Sequence, residues 1–559
     1  MLDSGRDDQF IRVIARPPRA GMTPVELVRG FLEASAGGLE GLTIAREYLT
    51  TSRAIAWAPD VGVQVYDDSG LSFDDKLPQV VDVSGGLAGQ IDNRGDFSLA
   101  APTQVLHGAY SLIKVAGEWR IDGCPDGLIL SSGDVERGFR TLPTYFFDPT
   151  FATLVPNPIT VPVVGAGLAT TIVRSLLAGP TAWLAPSVKT AFPEGTALAI
   201  DSVPVESGIA QIELTSQVLN ADDKTRQALS AQLIWSMRSL PEISGVRITV
   251  GGQPFAVSGV GPVQPTSAWS TYSDDANNAS NSPLYASIRG AVSRLDVGLA
   301  GQASAPRTPS VAVAGAAGKV GSGWSNPAVS ADSRVVAVLD RNATTLWSGK
   351  VGLGQVLTRR VSGVQLSAPS WDRFGGLWTV DRGRGIRLAR TSGPVRDVPL
   401  VSINPRQGLG TLSAANVIAV AVSSDGMRAA LRVQRDGHTL LLVARVERRG
   451  DDVRLADPRR VESTLADVLD AAWTSTTELA VLGTFGAAAP SLSLVDFGPS
   501  SRRIASPPPG AVSIAASPGR PLVIAAASAG AAGQVGEGQL WAQVAGSWVL
   551  RSPGSDPSY

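Results

Sequence analysis

The second half of the chain repeats itself, and the repeat restricts the folds open to it. Five segments set a polar turn between two runs of small and β-branched residues: NPAVSADSRVVAVLD, SAPSWDRFGGLWTVD, IAVAVSSDGMRAALR, DAAWTSTTELAVLG and SIAASPGRPLVIAAA. Their anchors, Ser330, Ser370, Ser423, Trp473 and Ser517, stand 40, 53, 50 and 44 residues apart. That is the period of a four-stranded propeller blade with loop insertions, a unit that buries its faces only against neighbours in a ring. A second element, LYASIRGAVSRL (Leu284 to Leu295), aligns without a gap to LWTVDRGRGIRL (Leu377 to Leu388), each read as an outer-strand hairpin. LWAQVAGSWVL (Leu540 to Leu550) reads as a third copy. If the first hairpin is completed by the last strands of the chain, the ring closes on six blades with no open edge, five and seven remaining as alternatives. The propeller is assigned to residues 282–559.

Upstream, GMTPVELVRGFLEAS carries a helix start: Thr23 as N-cap, Pro24 at the first helical position, Glu26 closing a capping box, and Met22 with Leu27 as a hydrophobic staple. Leu27, Val28, Phe31 and Leu32 form its inward stripe, and LTIAREYLT (Leu42 to Thr50) reads as a second helix with Ile44, Tyr48 and Leu49 inward. From VGVQVYDD onward the pattern becomes stranded, ending in a hairpin that turns at Ala116-Gly117-Glu118, with Trp119 after it. Helices followed by a curved antiparallel sheet predict an NTF2-like α+β domain over 21–127, after an extended segment 1–20. Residues 128–144 read as a connector. Residues 145–257 alternate: ITVPVV, a helix Leu168 to Ala178, a hairpin TALAIDSVPVES/GIAQIELTS, a helix Asp222 to Leu240, and VRITVGG. Leu229, Leu233, Met237 and Leu240 give that last helix one apolar face, so this is a second α+β domain. Residues 258–281, rich in Pro, Ser and Asn, read as a linker.

Composition narrows the function. With 559 residues, 44% of them hydrophobic, the chain can bury several separate cores. Its net charge of -1 and the lack of a dense basic stripe favour neither nucleic acid nor an anionic membrane surface as a partner. Arg382, Arg384 and Arg387 read as solvated hairpin faces. Six lysines among 48 basic residues, with abundant Ala, Gly, Val and Pro, point to a bacterium of high G+C content. Cys124 is the only cysteine, so neither a disulfide nor a thiolate metal cluster is expected, and it reads as structural. MLDSGRDDQF lacks the basic start and apolar run of an export signal. The longest apolar runs, Ile159 to Val173 and Pro521 to Gly533, fall short of the ~20 residues that span a bilayer.

Catalytic signatures fail in turn. Gly165-Ala166-Gly167 follows a strand and precedes a helix, as a dinucleotide fingerprint does, but Thr170 stands where the third glycine belongs. AWLAPSVKT supplies no ribose-binding acid and the helix ends at Gly179-Pro180, so the stretch is expected to be a plain strand-to-helix turn. No G-x-S-x-G elbow occurs, and Gly318-Lys319 and Gly349-Lys350 are each followed by Val rather than the Ser or Thr of a P-loop. His107 and His438, the two histidines, read as a structural residue in a strand and a residue of a surface turn after Asp436-Gly437. The acid pairs Asp7-Asp8, Asp67-Asp68, Asp74-Asp75, Asp222-Asp223 and Asp274-Asp275 lack calcium-loop spacing and read as solvation and helix capping. Trp324, Trp347, Trp371, Trp378, Trp473, Trp541 and Trp548 read as blade packing rather than a sugar platform. No catalytic, cofactor-binding or metal-binding residue is assigned, and partner-binding residues stay unassigned.

AGMTPVELVRGFLEAS, AREYLTTSRAIAW and VQVYDD resemble the N-terminal region of the LpqB family of actinobacterial lipoproteins. IVRSLLAGP, FPEGTAL, AQIELT and AQLIWSMRSLPEISGVRITVGG resemble a GerMN domain, and the repeats resemble the LpqB propeller. The resemblance implies a non-enzymatic, lipid-anchored protein at the extracytoplasmic face of the cell membrane. It also implies a partner, the extracytoplasmic sensor domain of an MtrB-type histidine kinase, acting in envelope homeostasis and cell division. The chain departs from the family pattern in having no signal peptide and no lipobox cysteine; Cys124 lacks the apolar run such a cysteine needs, so an anchor is expected upstream of Met1. A cell-wall glycan-binding or envelope-assembly module is the alternative, and a propeller hydrolase the third reading.

Overall fold

The computed structural model describes residues 15–163, 167–273, 283–298, 310–390, 393–402, 409, 412–461, 467–486, 488–499, 501–504, 506–527 and 538–559. The first unit opens with α1 (Pro24–Ser35), capped as the sequence predicts: Glu26 N donates to Thr23 Oγ1 at 3.3 Å and Thr23 N to the Glu26 carboxylate at 2.8 Å. The second helix differs from expectation. α2 (Gly38–Glu47) and α3 (Thr51–Ala56) are separated because Tyr48 O accepts from Ile121 N at 3.0 Å and Thr50 N donates to Ile121 O at 2.8 Å. Strand bonds thus end the helix where its apolar pattern would continue it.

The sheet comprises β1 (Gly62–Asp74), β2 (Val80–Asp92), β3 (Phe97–Leu99), β4 (Val105–Val115), β5 (Glu118–Gly123) and β6 (Leu128–Ser131), in the order β5-β4-β2-β1-β6 with β3 on β2. β6 was expected in the connector; it runs parallel to β1, Val63 beside Leu128. Val28, Phe31, Tyr110, Leu112 and Ile121 form the core between α1 and this sheet.

Helix α4 (Ser132–Gly138) leads into the ribbon β7 (Phe139–Phe147) and β8 (Leu154–Pro162), then α5 (Leu168–Ala178), β9 (Val205–Glu206), β10 (Ile209–Leu214), α6 (Asp223–Met237), β11 (Gly245–Val250), β12 (Gln253–Pro254) and β13 (Val263–Pro265). The stretch TALAID, expected as a full strand, makes one bridge, Leu198 to Leu214. The linker expectation fails for its described part. β13 pairs with β11, the Trp269 indole donates to Ser230 Oγ at 2.8 Å, and Trp269 and Tyr272 pack on this domain's core. Residues 274–281 lie outside the described residues.

Beyond residue 283 six sheets follow one another in a propeller-like ring. Their innermost strands are Ser555–Ser558, Ser325–Val329, Ser370–Trp371, Val417–Val422, Asp467–Trp473 and Ala511–Ala515, taken here as the first to sixth sheets. In the first sheet Ser555–Ser558 pairs with Leu284–Ile288, so the end of the chain completes the sheet that opens the ring. The hairpins 284–295 and 377–389, expected as outer strands, are instead the second and third strands of their sheets with a fourth strand outside them, whereas 539–553 supplies the third and fourth strands of the sixth. The supposed third copy therefore sits one strand further out, because Val523–Ala526 already fills the second place.

Neighbouring sheets are stitched at the sequence period. The Trp371 indole donates to Ala328 O at 3.2 Å, Trp473 to Ala421 O at 3.0 Å, and Trp548 to Ser506 O at 2.9 Å. Val422 N donates to Ser370 Oγ at 3.1 Å and Ile514 N to the Asp470 carboxylate at 3.0 Å. The turns after the innermost strands are fixed by aspartate. Asp332 Oδ1 accepts from Ser330 Oγ and Arg334 N, Asp372 Oδ1 from Phe374 N and Gly376 N, and Asp425 Oδ1 from Ser423 Oγ and Met427 N. This local bonding is why S-x-D recurs at the anchors.

Candidate functional site: the ring channel and the domain seam

The innermost strands enclose a cavity of about 360 Å³ on the ring axis. Ala and Ser make up nearly half of the residues lining it, as expected where strands converge on an axis, and Tyr285, Trp371, Trp473 and Tyr559 are the aromatic residues among the rest. The charged groups lining it are Asp372, Arg373, Arg432, Asp470 and Asp556. Burial raises the Asp470 carboxyl above its ordinary value, opposed by Arg432, whose Nη2 stands 3.8 Å away, and by the Ile514 N–H. Asp556 accepts from Ser555 Oγ at 2.9 Å.

A seam joins the GerMN-like domain to the third, fourth and fifth sheets. One apolar cluster runs from Phe147, Val161 and Leu184 to Met427, Val443, Val481 and Val495. Around it, Arg373 Nη1 bonds the fully buried Asp148 carboxylate at 2.8 Å and Nη2 bonds Thr153 Oγ1. Arg428, buried and paired with buried Asp425 at 2.8 Å, also reaches Pro156 O. Trp183 donates to Asp457 O at 2.8 Å and Ser187 Oγ to Val446 O at 2.9 Å. The first domain joins the same seam. Arg459 of the fourth sheet grips Asp96 with two bonds of 2.8 and 2.6 Å while lying 4.6 Å over the Trp183 ring. Gly95 presses against β8, its carbonyl accepting from Thr160 N at 2.7 Å; at its φ of +80° any Cβ would meet Ile159 and Thr160.

Near the seam, Phe374 is partly exposed under Arg448 at 4.4 Å and Arg373 at 5.2 Å. Phe151, also partly exposed, stacks on Phe147 at 5.2 Å, which meets Tyr272 edge-on at 5.2 Å.

The residues singled out in the sequence are scattered. Of Gly165-Ala166-Gly167, only Gly167 lies within the described residues, as the N-cap of α5; Thr170 is buried and its Oγ1 accepts from Val203 N at 2.9 Å, a packing role. His107 lies in β4, in a strand as expected, and is exposed there opposite Ser84. His438 is exposed beyond the turn, its Nδ1 3.5 Å from Asp467. Neither histidine lines the channel. Arg382 and Arg384 are exposed as expected, but Arg387 is buried in its strand between Asp397 at 2.9 Å and Asp381 at 3.9 Å. Every residue of this strand and of its hairpin partner is buried, so the sheet is covered on both faces, and the acids compensate the charge of Arg387.

Asp222 caps α6, and the Thr225 hydrogen bonds hold its carboxyl below the usual range. Asp7-Asp8 and Asp274-Asp275 lie outside the described residues. Cys124 is half-buried, its Sγ accepting from Arg53 Nε at 3.3 Å; burial pushes its thiol up. Trp378 is buried and donates to Asp372 at 2.8 Å, Trp324 donates to Ala316 O, and the Trp324 and Trp347 rings lie 6.2 Å apart, so these indoles pack and stitch. Among the described residues no cluster of three or more metal-ligating side chains occurs, and no helix is long and apolar enough to cross a membrane. The seam's ion pairs had no sequence signal, since their partners lie more than 200 residues apart.

Comparison with known proteins follows the same three units. The family model of the lipoprotein LpqB N-terminal domain matches residues 17–136, the Germane model of sporulation and spore germination matches 143–256, and the lipoprotein LpqB beta-propeller model matches 303–558. A lipoprotein LpqB of Thermobifida fusca is 29% identical over 527 residues, covering 86% of this chain and 82% of its own. That of Streptomyces coelicolor is 27% identical over 521 residues, covering 86% and 81%. Among solved structures, TolB from Acinetobacter baumannii aligns with a TM-score of 0.33 at 12% identity, covering 49% of this chain and 65% of that one.

Proposed function

Because the chain belongs to the LpqB lipoprotein family, we propose that it acts without turnover, as a docking platform at the extracytoplasmic face of the membrane for the sensor domain of an MtrB-type histidine kinase. In this reading the six sheets are six blades, the first unit is NTF2-like, and an N-terminal lipid places the assembly in envelope homeostasis and cell division. The observation that carries it is the seam. An apolar cluster and the Arg373–Asp148 and Arg459–Asp96 pairs hold three domains as one body, which a docking platform requires and a set of tethered modules lacks.

The absence of turnover is supported by the positions of the two histidines, both away from the channel, which leave its serines without an imidazole base. The test is direct binding of the kinase's extracytoplasmic segment to the purified chain by interferometry, repeated with the lipid-anchored protein in nanodiscs. Saturable binding supports the reading, and none at high micromolar concentration in either format overturns it.

A second reading, docking of a cell-wall glycan, is favoured by one observation, the exposed Phe151 and Phe374 rings near the seam. The propeller indoles count against it, since most are committed to backbone or Asp372. Co-sedimentation with purified cell wall separates the two, because kinase docking predicts none.

A further inference from the structure

Two loops on the first and second sheets break the polar-surface pattern of the ring. One runs from Val311, on the outer strand of the first sheet, to Trp324; the other joins the two outer strands of the second sheet and is taken with their ends, from Gly349 to Arg360. Gly352 N donates to Ala314 O and Ala316 N to Gln355 O, both at 3.3 Å, and the Trp324 indole donates to Ala316 O at 3.2 Å. Gly315 permits this contact: its φ is +92°, and a Cβ there would collide with Gly352 O. The two loops are therefore one surface, rooted below by Val313, Val351 and Leu357 on the cluster of Val292, Val336 and Val338.

From that base aliphatic side chains point into solvent. Leu353 is 89% exposed, Val356 70%, Val320 62% and Val311 58%. The same two segments hold Lys319, Lys350, Arg359 and Arg360 and no acidic residue, in a chain whose net charge is -1 and which has only six lysines. The adjoining turn adds Arg334, balanced by Asp332 at 3.8 Å. The seam uses the third to fifth sheets, so neither α+β domain's seam contacts cover these loops.

Although the chain's overall charge of -1 favours no anionic membrane surface, this patch is locally cationic, and we propose that it is a second membrane contact, binding anionic phospholipid. Aliphatic tips on segments that also carry the exposed Lys319, Lys350 and Arg359, with Arg360 turned back onto Ser348 Oγ at 2.7 Å, match the boundary between headgroups and acyl chains: the tips enter the apolar layer while the exposed cations remain among the phosphates. Four tips are too few for a stable protein interface, which takes about 800 Å² from each partner. Insertion needs no such area, because charge attraction and each buried tip add independently. The proposal does not rest on kinase docking, and its assay contains no kinase.

The test is flotation of the purified chain with vesicles of 30% phosphatidylglycerol in phosphatidylcholine against phosphatidylcholine alone. Preference for the anionic vesicles, weakened by salt, is expected. Replacing both Lys319→Gln and Lys350→Gln should lower partitioning about 25-fold, at about fivefold per cation. Leu353→Ser with Val356→Ser should lower it about tenfold without changing charge. Because all four side chains are on the surface, both variants should keep the wild-type melting midpoint, which excludes misfolding. Equal binding to both vesicle types overturns the proposal. So does wild-type binding by the serine variant, which would leave an electrostatic patch suited to an acidic protein.

Discussion

Arg373→Ala tests whether the seam makes one body of the GerMN-like domain and the propeller. Asp148 has no exposed side chain; its Oδ1 already accepts from Ala152 N at 2.8 Å and Thr153 N at 3.0 Å, and Oδ2 from Thr150 Oγ1 at 2.5 Å and Arg373 Nη1 at 2.8 Å. Removing Arg373 leaves the carboxylate bonded but without a countercharge and strips Thr153 Oγ1 of its donor. A charge-assisted bond contributes ~1.5–3 kcal/mol and a neutral one ~1 kcal/mol. Arg373 is 20% exposed, so water recovers part of this, and about 3 kcal/mol should be lost.

If roughly 370 residues unfold together, the unfolding entropy is ~0.8 kcal/mol/K and the midpoint falls by about 4 °C. Differential scanning calorimetry should show one transition shifted by that amount. Arg373→Lys should recover about half, since an ammonium keeps the charge but cannot reach both partners. A shift below about 1 °C would refute the energetic assignment. A split endotherm would refute the claim that the apolar cluster couples the domains.

Arg459→Ala should free the first domain from the fourth sheet, at about 2 kcal/mol for a mostly buried bidentate pair, and hydrogen exchange should quicken around Asp92–Asp96; unchanged exchange would contradict the seam. Asp470→Asn should raise the melting midpoint at pH 7. The folded-state carboxyl lies above its ordinary 3.8, so ionisation opposes folding above the folded-state value and stops doing so as pH falls towards 3.8. The variant's advantage should therefore vanish near pH 4, and a variant less stable than wild type at pH 7 would show that Arg432 dominates. His438→Ala should leave peptide and glycan turnover at background in both proteins; hydrolysis by the wild type lost on this substitution would overturn the non-catalytic reading.

What the sequence made legible was local. The Thr23–Glu26 box and the aspartate turns at the anchors close within a few residues, so their chemistry is written in consecutive letters. The span of α5, Leu168–Ala178, was legible from the glycines that bound it, Gly167 and Gly179. Non-local pairing was not legible. Val263–Pro265 looks like linker by composition and becomes strand only because β11 offers an edge, and Leu128–Ser131 joins the first sheet because β1 does. Arg387 has the neighbours of a surface residue and is buried because its strand is covered on both faces and two acids admit the charge. The seam was invisible for the same reason: nothing in the sequence around Asp96 or Asp148 names an arginine hundreds of positions away.

The pairing of Ser555–Ser558 with Leu284–Ile288 sets the order of assembly. During synthesis, the first sheet waits with a bare edge while some 270 residues follow, and the sheets between can form only an open arc. Closing so long a loop adds little entropy beyond closing a shorter one, so the penalty is in time rather than equilibrium. A chaperone that shields strand edges during that interval, or a premature stop that removes the final residues, would therefore govern yield far more than any change to the finished ring.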